Sequence, residues 1–184
     1  MKCTAVCLAA LLACTLAQAA PTATLSTAGA SFEEYTGTGP VGNNNINANG
    51  KLFWFYESSG SYLGQAVKSW FVFFDPRAAS SMKGDVSFDG AILHVLDDKA
   101  SLLATSAFGS AGMSYDYSNK SIGLEAGDKS KTSFAGSTLS LNWTASNPGD
   151  HIRVMTAVPE PGTYALMALG LGALGFVARR RRSA

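Results

Sequence analysis

From residue 20 to residue 158 the chain has no cysteine; all three, Cys3, Cys7 and Cys14, lie in the first fourteen residues. This excludes a disulfide framework, a zinc–thiolate site and a thiol nucleophile from most of the chain. Charge is scarce as well: 15% of the 184 residues are Asp, Glu, Lys or Arg, and the net charge is +1. Phosphate binding needs a basic surface, so nucleic acid is not an expected partner. Histidine is limited to His94 and His151. There is no Gly-x-Ser-x-Gly elbow, no His-Glu-x-x-His and no phosphate loop. No catalytic residue, cofactor or metal is therefore assigned. Asp85, Asp89, Asp97, Asp98, Asp116, Glu125, Asp128 and Asp150 lie near turns, but their spacing matches no calcium loop.

What charge there is lies unevenly. Residues 1–19 carry Lys2 and no acid. Residues 20–158 carry nine basic and twelve acidic residues, a net −3, and residues 159–184 carry four Arg and one Glu, a net +3. The start of the chain reads as a secretory signal. Lys2 precedes an apolar stretch over 3–16, and Ala17-Gln18-Ala19 with Ala20 after it offers a small-x-small cleavage site. A lipid-acceptor reading of Cys14 leaves a shorter apolar core. The partners implied at this step are the Sec translocon and signal peptidase.

The other end has three parts. Pro159-Glu160-Pro161 cannot continue a strand, because each proline lacks a donor and has a fixed φ. A charge-free run follows, and residues 163–178 are expected to form a single transmembrane helix at the short end of the spanning range. Arg179, Arg180, Arg181 and Arg182 then anchor that end on the cytoplasmic side. The precursor is thus expected to be a single-span inner-membrane protein with its domain outside.

Residues 20–158 form the exported domain. They hold 15 Gly, 30 Ser/Thr and 17 aromatic residues, a composition rich in strand and turn formers. Lys51–Glu57 and Ser69–Phe74 are apolar on both faces, which suits covered strands. Thr138–Thr144 alternates, with Leu139, Leu141 and Trp143 on one face. Asp85–Phe88 and Ala91–Leu96 flank Asp89-Gly90, a candidate two-residue hairpin turn. His151–Val158 is the expected last strand and Gly112–Tyr117 a weaker candidate. Residues 22–50 read as loop with one edge strand at most. The expected fold is all-β: an antiparallel β-sandwich of about seven to nine strands, followed by the membrane helix.

Pro159-Glu160-Pro161, the glycine-rich apolar span and the terminal arginine cluster together resemble the PEP-CTERM sorting signal, found in Gram-negative bacteria that make exopolysaccharide. The resemblance implies processing by an exosortase, a membrane-embedded enzyme that cleaves at the Pro-Glu-Pro motif. It covers about 26 residues. The leading expectation is a non-enzymatic surface or extracellular-matrix protein. A carbohydrate-binding module contacting exopolysaccharide is the alternative, with Tyr115 and Tyr117 as candidate glycan contacts. A secreted hydrolase is the remote third reading, because nearly every secreted domain has two carboxylates within reach of each other. Trp54, Trp70 and Trp143 are expected to fill the core. His94 is expected to be partly buried on a face shared with Ile92 and Leu96, and His151 to be exposed at a turn.

Overall fold

In a computed structural model, residues 19–158 and 170–172 are described. They form nine strands: β1 (Thr22–Leu25), β2 (Ser31–Glu34), β3 (Lys51–Tyr62), β4 (Gln65–Phe74), β5 (Ser80–Ser87), β6 (Ile92–Leu96), β7 (Ser133–Ala135), β8 (Thr138–Ala145) and β9 (Asp150–Ala157). Two short helices, α1 (Lys99–Ala104) and α2 (Ala126–Lys129), and a 3-10 turn at Ser106–Phe108 lie between β6 and β7. One sheet has the order β1-β5-β8-β7 and the other the order β2-β3-β4-β9-β6.

The alternation in the strands decides how the sheets pack. Trp54, Trp70, Val72 and Phe74 of the five-stranded sheet meet Met82, Leu139, Leu141 and Trp143 of the four-stranded sheet in one core. The intervening residues of β3 and β4, Phe53, Phe55, Phe71 and Phe73, face the other way and pack under Val41, Leu102 and Ile122. The five-stranded sheet is therefore covered on both faces, which is why its central strands lack polar alternation. The indole groups are satisfied within the protein: Trp70 Nε1 donates to Thr156 Oγ1 at 3.1 Å and Trp143 Nε1 to Thr132 Oγ1 at 2.8 Å. All three tryptophans are buried, as expected from their size.

Several expectations are corrected. The sheets are not wholly antiparallel, because β2 runs parallel to β3. Residues 22–50 supply two edge strands, one to each sheet. The strand expected at Lys51–Glu57 continues to Tyr62 and turns at Leu63-Gly64, where both residues have positive φ, 49° and 81°. Asp89-Gly90 is not a hairpin turn. The strand before it pairs with β1 and β8, and the strand after it pairs with β9, so these residues form the crossover between sheets. A Cβ on Gly90 would lie 2.5 Å from the Ala157 carbonyl oxygen, so only glycine lets the crossover pass the end of β9. Gly112–Tyr117 is not a strand; Tyr115 makes only an isolated bridge to Val41.

The expected membrane helix over 163–178 lies outside the described residues except for Gly170, Leu171 and Gly172, which are helical. Among the described residues no helix is long and apolar enough to cross a membrane.

Candidate functional site

The last strand sits between β4 and β6, inside the five-stranded sheet. The backbone N–H of Ala157 donates to Ala91 O at 2.8 Å, and that of Val158 donates to Ala66 O at 3.3 Å. The chain is therefore held in the sheet up to the residue before Pro159. Pro159, Glu160, Pro161 and Arg179 to Arg182 lie outside the described residues, as does Ala17. At the other end Ala19 and Ala20 are exposed and Pro21 is buried, just ahead of β1.

Two clusters of buried charge flank this strand. The first forms where β3 bulges. Tyr56 pairs with Trp70 and Ser58 with Ser69, which leaves Glu57 as the extra residue. Alternation with Phe53 and Phe55 puts Glu57 on the outer face, opposite Arg153 of β9. Arg153 Nε donates to Glu57 Oε2 at 2.6 Å and Nη2 to Oε1 at 2.7 Å, a bidentate pair with both side chains at most 1% exposed. Arg153 Nη1 donates to the carbonyls of Leu102 and Thr105 at 3.0 and 2.9 Å. It thereby closes the C-terminal end of α1, whose last carbonyls have no helical partner. Ser69 Oγ donates to Glu57 Oε2 at 2.6 Å and Tyr115 OH to Oε1 at 2.8 Å. Each Glu57 oxygen thus accepts two hydrogen bonds, the arrangement in which a buried pair is tolerated. Tyr115 and Tyr117 are half-buried in the outer cluster, with ring centroids 5.7 Å apart. Burial, and then the neighbouring Glu57 charge, raises the Tyr115 phenol above its usual range.

The second cluster was missed by sequence reasoning. Carboxylate oxygens of Glu125, Asp128 and Asp150 all lie within 4.8 Å of one another. Glu125 stands just before α2, Asp128 is 5% exposed, and Asp150 opens β9 fully buried. Neither Asp150 oxygen has a hydrogen-bond partner. Burial raises the Asp150 carboxyl to about 8, with the Asp128 and Glu125 charges adding to the effect. The nearby cation is Lys131, whose Nζ stands 3.7 Å from Asp128 Oδ1. An oxygen-only set of this kind suits a hard cation. The signal available in the sequence was three acids near glycine turns, but 22 residues separate Asp128 from Asp150 and no local spacing links them.

The histidines also differ from expectation. His151 is fully buried rather than exposed, and its ring stacks on Phe73 at 6.1 Å. His94 does not share a face with Ile92: a register shift between them places Ile92 in the inter-sheet core and His94 against Tyr62 on the outer face. His94 is partly buried, as expected, and its Nε2 has no partner.

Residues 157–182 match the family model of the PEP-CTERM protein-sorting motif. No curated protein matches the chain, and no solved structure does.

Proposed function

We propose that this bearer of a PEP-CTERM sorting motif is exported and held as a single-span precursor. An exosortase then processes it at Pro159-Glu160-Pro161, and its β domain serves as a non-enzymatic surface or matrix protein. The observation that carries this reading is the motif over 157–182, which begins at the last residue of a central strand. Five residues, 159–163, separate Val158 from Tyr164, where the apolar span begins, and the six Cα steps reach roughly 20 Å when extended. A soluble protease would have to fit between a folded domain and the lipid headgroups. An enzyme embedded in the membrane meets no such obstacle. The two prolines disfavour helix and sheet there, leaving the backbone open to attack.

A structural role for the domain is supported by the way its Glu57–Arg153 pair is used. Those groups hold α1, β3 and β9 together rather than facing a cleft. In this reading the partners are the Sec translocon and signal peptidase during export, and the exosortase at the membrane. Mass spectrometry of the C-terminus of cell-surface material tests it. Termini within or beside residues 159–161 are expected. Surface material that retains Tyr164–Ala184 would overturn the reading.

A further inference from the structure

We propose that Glu125, Asp128 and Asp150 form a calcium site that fastens the start of β9 to α2 once the domain is outside the cell. The contrast with the other buried acid motivates it. Glu57 accepts hydrogen bonds from Arg153, Ser69 and Tyr115, so its burial is matched by partners. Asp150 is fully buried and has no partner on either oxygen. A carboxylate in that position keeps its charge only when a cation stands beside it.

The donor set and its dimensions favour Ca²⁺. All three side chains offer oxygen, and no His or Cys belongs to the group. Ligands on opposite sides of a Ca²⁺ bound at 2.3–2.6 Å are about 5 Å apart. The observed oxygens, all within 4.8 Å of one another, fit around one such ion. Mg²⁺ gives up its water reluctantly and is less suited to several protein carboxylates. Lys131 reaches Asp128 alone and is about half exposed, so it leaves Asp150 unsatisfied. Glu125 is exposed, which gives the ion a route in from solvent. The remaining ligands would be water, as is common for extracellular sites with dissociation constants on the order of 10⁻⁴–10⁻³ M. The proposal rests on the export reading only for its supply of Ca²⁺.

The test uses the full chain, purified in detergent micelles and stripped with EDTA. Calorimetric titration with CaCl₂ should show one site with a dissociation constant on the order of 10⁻⁴ M. CaCl₂ at millimolar concentration should raise the thermal midpoint by about 3–8 °C over EDTA. Asp150→Asn should abolish both effects while remaining at least as stable as the wild type in EDTA, because the neutral amide matches the shape of the acid. Glu34→Gln, an exposed acid on β2, should keep both. Three results would overturn the proposal: no heat and no shift for the wild type at 5 mM CaCl₂ on the order set by such sites, an undiminished response in Asp150→Asn, or an equal response to MgCl₂. Sorting is read separately, from the C-terminus of surface material, so either idea can fail alone.

Discussion

Asp150 and His151 are neighbours in β9, both fully buried, and none of their four side-chain polar atoms has a hydrogen-bond partner. They point to opposite faces of the same sheet. Asp150 shares the side of Ile152 and Val154 in the inter-sheet core, at the end where Glu125 and Asp128 approach. His151 lies under Phe73 among the outer aromatics. The pair shows what covering both faces of a sheet entails: every side chain of a central strand is taken out of water, whatever its chemistry.

Stability should fall in acid through His151. Burial lowers its imidazole to about 4, so the folded protein keeps it neutral. The unfolded chain takes up that proton from about pH 6.5 downward. The His151 contribution is therefore complete above pH 6.5 and is lost as pH falls towards 4, reaching about 2 kcal/mol by pH 5. Urea midpoints of wild type and His151→Phe isolate it, because titrations elsewhere cancel in the difference. The variant should gain on the wild type between pH 7 and pH 5. A constant difference would refute the assignment.

Arg153→Met should be among the most damaging single substitutions. It strands the Glu57 carboxylate in the interior and uncaps α1, at a cost of roughly 3–5 kcal/mol. Adding Glu57→Gln should recover part of that loss, giving a coupling energy readable in a double-mutant cycle. Tyr115→Phe removes one hydrogen bond to Glu57 and should cost about 1 kcal/mol.

Leu63→Asn should stabilise the domain by about 1 kcal/mol. Leu63 holds a φ of 49° at the tip of the β3–β4 hairpin and is 75% exposed. A left-handed conformation is unfavourable for leucine, whereas Asn-Gly is the preferred pair for such a turn. Thermal melts of the two proteins decide it, and an unchanged or lower midpoint would count against the turn assignment.

Replacing Arg179, Arg180, Arg181 and Arg182 by neutral residues should impair retention or orientation of the precursor. The apolar run is short, and in the proposed precursor these charges would be its main cytoplasmic anchor. Pulse-chase labelling should show slowed or lost processing. Processing at the wild-type rate would remove the arginines from the mechanism.

Much of this protein could be read from the chain alone, because the features concerned are local. A sorting signal is linear, and Pro159-Glu160-Pro161, the apolar run and the arginines identify it without any fold. Side-chain alternation reports how many faces of a strand are covered, so Lys51–Glu57 and Ser69–Phe74 read correctly as doubly covered strands. Tertiary structure decided which strand lies beside which. Asp89-Gly90 has the chemistry of a hairpin turn, yet its flanking strands find better partners in different sheets. Alternation with Phe53 and Phe55 sets the face of Glu57, but its pairing with Arg153, 96 residues away, has no signature in the local pattern. The same holds for the meeting of Glu125, Asp128 and Asp150 and for the burial of His151. Periodicity encodes that a face is covered, but what covers it depends on long-range pairing, and there Glu57 acquires Arg153 as its partner.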